Sequence, residues 1–202
     1  MDDQIEVIIP SLGKKILNET IDKLNNGSIR PKNIICVIYN NKKFVPKKNY
    51  KNLKFFYTHT KGQVSQRLIA FKKTKEKFIL QIDDDIIIDF DCLKNLLISI
   101  KKLGKGNVVG PVYKSFQNKP IHVIKKNKFQ IVFDLYNFLI CNSKFGIKKS
   151  GTLSQIFLAY GIDPKLKYKD RLIKTDWLPG GCLLTYRSDF ISNPRYPFSG
   201  KA

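Results

Sequence analysis

Phe78-Ile-Leu-Gln-Ile-Asp-Asp-Asp85 is the stretch that decides the fold. Phe78 to Ile82 is a short apolar run with one polar member, the pattern of a buried strand. Three carboxylates follow it at once, and like charges held this close are costly unless something positive sits among them. A divalent cation resolves the conflict, and hard oxygen ligands point to Mg²⁺ or Mn²⁺. Extended backbone sends residues i and i+2 to the same side, so Asp83 and Asp85 are expected to approach one ion while Asp84 points elsewhere. The alternative is a solvated acidic turn capping the next helix. Asp89 and Asp91 suit that role better, because they directly precede the helical pattern Leu93, Leu96, Leu97, Ile100, Leu103. Only 16 acids occur in the chain, and three of them stand here.

The flanking sequence alternates strand and helix. Ile5 to Pro10 reads as a buried strand ending at a Pro-Ser-Leu-Gly turn. Ile16, Leu17, Thr20, Ile21 and Leu24 recur at helical spacing, with Gly27 placed as a C-terminal cap. Ile34 to Tyr39 is a second strand and Lys54 to Thr58 a third; Val64, Leu68 and Phe71 mark the helix before Phe78. This order predicts an α/β fold with a mainly parallel sheet flanked by helices. Ligands of such sheets bind beyond the carboxyl ends of the strands, so Pro10-Ser11, Asn40-Asn41 and the Asp triplet should converge on one cleft.

Composition bounds the function. The chain has 202 residues, enough for one domain, and 43% hydrophobic content excludes wholesale disorder. No apolar run reaches the roughly 18 residues of a spanning helix. The acidic start (Asp2, Asp3, Glu6) runs into a strand and is no signal peptide, and Cys36, Cys92, Cys141 and Cys182 show no paired spacing. A reducing, cytoplasmic setting is expected. The net charge of +21 invites nucleic acid as a partner, but only five of the 37 basic residues are arginine and the lysines are scattered in pairs. Bidentate recognition of bases and phosphates leans on arginine, so no nucleic acid is expected and a solvated basic surface is the first reading; if the charge has a target, anionic lipid headgroups are as plausible as nucleic acid.

Four segments, in order, resemble family 2 glycosyltransferases. Val7-Ile-Ile-Pro-Ser11 is similar to the family's first strand. Gly62-Gln-Val-Ser-Gln-Arg67 followed by Phe78 to Asp85 resembles its Gly…Ala-Arg-Asn helix start and the strand ending in D-x-D. Thr175-Asp-Trp-Leu-Pro-Gly-Gly-Cys182, with Tyr186-Arg187, resembles the acceptor-side segment and its W-L-x-G-G turn. The resemblance covers most of the chain and implies the GT-A fold, a Rossmann-like nucleotide-diphospho-sugar transferase fold. Residues 1–110 would be the nucleotide-sugar-binding half of a single domain and residues 111–202 a partial acceptor-binding half.

The same resemblance implies roles. Pro10, Ser11 and Asn40 would face base and ribose, although relatives carry Asp where Asn40 or Asn41 falls. Gln63, Arg67, Asp83 and Asp84 would line the nucleotide sugar, with Asp83 and Asp85 as metal ligands. Mn²⁺ or Mg²⁺ would bridge the diphosphate of a nucleotide-diphosphate sugar, a UDP-sugar being favoured. Asp176, Trp177, Gly180 and Gly181 would serve the sugar or the acceptor, a glycan or lipid-linked sugar. From the residues alone Trp177 is either a stacking platform or core packing, and Asp176 either a hydroxyl ligand or a turn cap. An inverting member also needs a carboxylate base, typically a Glu-Asp pair beyond the W-L-x-G-G turn. No Glu follows Glu76, so that base is expected beyond Ala202, in a chain truncated at its C-terminus.

Phe129 to Ile140 is apolar on nearly every face, with lysines on both sides, and fits neither a strict helix nor a strand period. It packs on the sheet, buries against a part of the protein beyond Ala202, or lies in a membrane interface; the shortness of the run favours ordinary packing, while the interface reading would suit peripheral contact with the inner face of an anionic membrane. Ser150 to Gly161 is expected to be a loop, and His59 and His122 to be structural. Two other functions share some of these features. A sugar nucleotidylyltransferase has a similar layout, but Ser11-Leu-Gly-Lys-Lys15 matches its phosphate loop poorly. A non-catalytic basic module would explain the charge and leave the Asp triplet without a purpose.

Overall fold

A computed structural model describes residues 4–39, 44–114 and 172–191, together with the helical positions 131, 132, 135, 136 and 139. The chain divides into two compact units, one of Met1–Pro111 and Pro179–Ala202 and the other of Val112–Leu178. The first unit is built on a six-stranded sheet. In chain order its elements are β1 (Ile5–Ser11), α1 (Leu17–Asn25), β2 (Asn33–Tyr39), β3 (Leu53–Thr58), α2 (Gln63–Phe71), β4 (Phe78–Ile82), α3 (Cys92–Leu103), β5 (Val108–Val109) and β6 (Cys182–Tyr186), with a short helix Arg187–Ile191.

The strands lie in the order β3-β2-β1-β4-β6-β5. β1, β2, β3 and β4 are parallel neighbours, as the alternation of strands and helices predicts. β6 joins antiparallel to β4, from Phe78↔Tyr186 to Ile82↔Cys182, and β5 pairs antiparallel with β6. Every residue of β1 and β4 is buried, which is why both read as near-continuous apolar runs. β3, at the sheet edge, mixes half-buried and exposed positions. α2 packs against β1 and β2, where Ala70 meets Ile8, Ile35, Val37 and Ile79.

Strand order reverses between β1 and β4. From β1 the chain winds outward to β2 and β3, then returns to lay β4 on the other side of β1. The crevice at the carboxyl ends of these two strands is therefore the topological switch point, where ligands of open α/β sheets bind. The pairing of β6 with β4 brings the Gly180-Gly181 turn to the same end, since Cys182 partners Ile82. The Phe78 and Tyr186 rings, with centroids 4.9 Å apart, fix that register from the opposite end of the pair.

Three local expectations are corrected. Gly27 is no left-handed cap: α1 ends at Asn25 with Asn26 as its C-cap, and no positive φ occurs at Gly27. A glycine stands there because a Cβ would lie 3.1 Å from the Phe90 carbonyl oxygen, which accepts the Ser28 N–H at 2.9 Å. Asp91 is the N-cap of α3 but makes no side-chain capping bond, and the entry is closed by Cys92 N–H to the Asp89 carbonyl instead. Val64 and Leu68, whose spacing with Phe71 implies an apolar face of α2, are 58% and 52% exposed; Gln66 and Ala70 face inward. Ser150 to Gly161, His122 and Cys141 lie outside the described residues, whereas His59 is exposed.

Glu6 is an acid in the middle of buried β1, and its carboxylate is fully employed. Oε2 accepts the N–H groups of Lys75 and Glu76 at 2.5 and 3.0 Å, and Oε1 accepts Asn33 Nδ2 at 2.8 Å. It thus pins the approach to β4 against the start of β1 and β2. Glu6→Ala strands three donors and is expected to lower the unfolding free energy by about 1–3 kcal/mol, read from urea midpoints at constant slope.

Candidate functional site

Ser11 ends β1 and is buried. Its hydroxyl donates to Asp84 Oδ2 at 2.5 Å across the switch point and accepts the Gly13 N–H at 2.9 Å. Gly13 makes this tight return possible at φ +76, a conformation that a side chain disfavours. The Asp84 carbonyl accepts the Thr20 hydroxyl at 3.0 Å, so one residue ties the end of β1, α1 and the segment after β4 together. Behind it, Gln66 Nε2 donates to the carbonyls of Ser11 and Val37, each at 2.8 Å, clamping the ends of β1 and β2 to α2.

Asp83 is held from the other side. Its N–H donates to the Gly181 carbonyl at 2.8 Å, continuing the line of the β4–β6 pair beyond Ile82. Its Oδ1 pairs with Arg67 Nη2 at 2.5 Å, with both side chains about four-fifths buried (17% and 22% exposed). Arg67 also reaches the Gly180 carbonyl at 3.5 Å, which Gln81 Nε2 approaches to 2.7 Å. Burial pushes the Asp83 carboxyl above the usual carboxylate range; Arg67 opposes that rise, while Asp85 and Asp84 add to it. Arg67 Nε is buried and has no hydrogen-bond partner.

The backbone does not stay extended through the triplet. β4 stops at Ile82, Asp84 and Asp85 form a turn, and Ile86 N–H reaches back to the Asp83 carbonyl at 3.4 Å. Strand alternation therefore does not order these side chains. Asp84 goes to Ser11, Asp83 to Arg67, and Asp85 is exposed without a hydrogen bond or ion pair. Among the described residues no group of three or more His, Cys, Asp or Glu side chains could hold a metal. The donors on offer are the Asp85 carboxylate and the second oxygen of Asp83. Such a set fits Mg²⁺ or Mn²⁺, which keep waters and take further oxygens from substrate phosphates; it does not fit an ion caged by protein alone.

Of the expected site residues, Pro10, Ser11, Arg67, Asp83, Asp84, Gly180 and Gly181 belong to this one end of the sheet. Gln63 opens α2 exposed and without a hydrogen bond, and Asn40 lies outside the described residues. Asp176 and Trp177 belong to the second unit, where Thr175 Oγ1 donates to the Trp177 carbonyl at 2.8 Å and Asp176 is exposed. Thr20, Gln66 and Gln81 build the site without having been read as part of it. The signal for Gln66 is a polar residue four places before the buried Ala70, on the inward face of an amphipathic helix.

The model of the family described as Glycosyl transferase family 2 matches residues 6–151. The chain belongs to this family. The matched span includes the eight elements from β1 to β5, both strand ends of the crevice and the whole Asp triplet. The mixed α/β sheet is that of the family's GT-A fold. Similar solved structures include TarS of S. aureus, at 20% identity and a TM-score of 0.46 over 61% of this chain and 24% of that one. A TarS fragment of residues 1–349 has 22% identity and a TM-score of 0.41 over 49% of this chain and 32% of that one. The same fragment in complex with UDP-GlcNAc has 21% identity and a TM-score of 0.38, covering 49% and 31%. This chain thus spans about a quarter to a third of those structures. No curated protein matches it.

The clamp and the exposed helix start should separate on mutation. Gln66→Leu removes both carbonyl partners and is expected to cost about 1–3 kcal/mol of stability, while Gln63→Ala stays within about 0.5 kcal/mol, both read from denaturant melts.

Proposed function

We propose that this chain is a glycosyltransferase that moves a sugar from a nucleotide-diphosphate donor to a hydroxyl acceptor, with the donor bound at the β1/β4 crevice. The observation that carries this is the concentration of charge-compensating contacts there: Ser11 on Asp84, Arg67 on Asp83, and Asp85 left free at the mouth. Family membership supplies the reaction class. Pro10, Ser11 and Asn40 face the base and ribose, and Gln63 and Arg67 flank the nucleotide. The unpartnered Arg67 Nε suits an anionic oxygen, and a guanidinium shared between a carboxylate and a diphosphate keeps its fixed charge at the leaving group.

Asp83 and Asp85 would hold Mn²⁺ or Mg²⁺, which supplies Lewis-acid stabilisation of the departing nucleoside diphosphate. Asp84 does not ligate; it holds the turn by accepting from Ser11 and fixes where its two neighbours sit. In one GT-A domain, residues 1–110 serve the donor and residues 111–202 the acceptor, with Asp176, Trp177, Gly180 and Gly181 on the sugar or acceptor side. The acceptor is a glycan or lipid-linked sugar, transfer inverts the anomeric centre, and surface polysaccharide is the setting, on the cytoplasmic side of the membrane. The general base is assigned to none of the residues described here.

Calorimetric titration with UDP and GDP, each with Mn²⁺ and with EDTA, tests the donor site. UDP is expected to bind with Mn²⁺ and to lose its heat in EDTA. Asp85→Ala should weaken metal-dependent binding by about 100-fold or more, since even outer-shell partners of a metal cost about 10–100-fold, and should not lower the melting temperature, because Asp85 is exposed and its charge only adds to the burden on Asp83. A folded chain that binds neither UDP, GDP, dTDP nor CDP with Mn²⁺ present would overturn the proposal.

A further inference from the structure

The apolar stretch between the flanking lysines plays no part in the donor site. Its described positions, Ile131, Val132, Leu135, Tyr136 and Leu139, are all helical and all exposed, from 46% at Leu135 to 72% at Ile131. At 3.6 residues per turn these five described positions fall within an arc of about 140°, the spacing of one helical face. A contiguous exposed stripe of this width marks a face that meets something other than water.

The surrounding sequence selects the partner. Between residues 112 and 162 the chain carries eight lysines, among them Lys125, Lys126 and Lys128 before the stripe and Lys144, Lys148 and Lys149 after it, against a single acid, Asp134. A second copy of the chain would set those lysines against themselves in a protein of net charge +21. An anionic bilayer accepts both halves of the pattern: the stripe enters the acyl boundary and the lysines meet the headgroups. Tyr136, with an apolar ring and a polar tip, is suited to the interface between them. No helix among the described residues is long and apolar enough to cross a membrane, and a one-sided stripe suits contact in the plane of the surface.

We infer that the helical face of Ile131, Val132, Leu135, Tyr136 and Leu139 docks this chain onto an anionic lipid surface. The inference does not depend on the donor site, and its test needs no sugar transfer. The full chain is floated with vesicles of phosphatidylcholine alone and with vesicles carrying 30% phosphatidylglycerol (about a third anionic lipid, enough for a basic segment to sense), at low and high salt. Wild type is compared with Leu135→Glu/Leu139→Glu and with Val45→Glu/Ile98→Glu, which makes the same change at two exposed positions of the first unit. Circular dichroism confirms that all three are folded.

Wild type is expected to float with the anionic vesicles and to be released by salt. The Leu135/Leu139 variant should lose about 10-fold or more in partitioning, and the Val45/Ile98 variant no more than about 3-fold, the share due to charge alone. Three results would overturn the inference. Wild type stays unbound; or both variants lose equally, so that bulk charge and not the stripe does the binding; or wild type is a dimer by sedimentation that Leu135→Glu/Leu139→Glu makes monomeric, with no vesicle binding in either.

Discussion

Asp83, Asp84 and Asp85 leave the end of a strand buried at every position, and the fold around them is organised by the need to compensate their charge. Each carboxylate is answered differently. Asp84 takes a neutral hydroxyl from Ser11, Asp83 takes the fixed charge of Arg67, and Asp85 is turned out to water. These answers come from four parts of the chain, since Ser11 ends β1, Thr20 lies in α1, Arg67 in α2, and Gly181 precedes β6. The strand order brings them together: with β4 laid beside β1, the triplet emerges where the sheet changes direction. Desolvation still outweighs the pull of Arg67 on Asp83, so the protein alone leaves negative charge there under-compensated.

The parts that were legible in the sequence are those governed by burial. β1, β2 and β4 are buried strands, and their near-continuous apolar runs predict both position and parallel pairing. β6 carries the same kind of run, but nothing in its periodicity says that it pairs antiparallel with β4. The sheet was therefore read from β1 to β4, and the pairings of β5 and β6 were not. Pro10, Ser11, Arg67, Asp83 and Asp84 were named and lie at one end of the sheet; Gln63 is exposed, and its neighbour Gln66, which was not named, does the holding.

Those misses share a cause. Side chains that bond to distant backbone carbonyls leave no period: Gln66 to Ser11 and Val37, Thr20 to Asp84, and Gln81 to Gly180 each join residues far apart in sequence. Apolar residues on α2 then mislead, because Val64 and Leu68 suggest a buried face that the two Gln66 bonds turn outward. A long-range polar clamp overrides a weak amphipathic pattern, since leaving two carbonyls at the ends of buried strands unmatched costs more than exposing two aliphatic side chains. The alternation argument failed for a related reason: it holds only while the backbone stays extended, and Asp84 leaves the strand to reach Ser11.

The same accounting bears on how the proposed donor site would work. With Asp84 committed to Ser11 and half of Asp83 committed to Arg67, the chain offers a divalent ion fewer ligands than it needs. A nucleoside diphosphate also finds too little positive charge at the crevice, where Arg67 is already shared. In the proposed site each ligand would supply what the other lacks, oxygens for the ion and positive charge for the diphosphate. The two are then thermodynamically linked, each raising the affinity of the other by the same factor. In a basic chain whose lysines are spread over the surface, such coupling is what distinguishes this crevice from general attraction to anions.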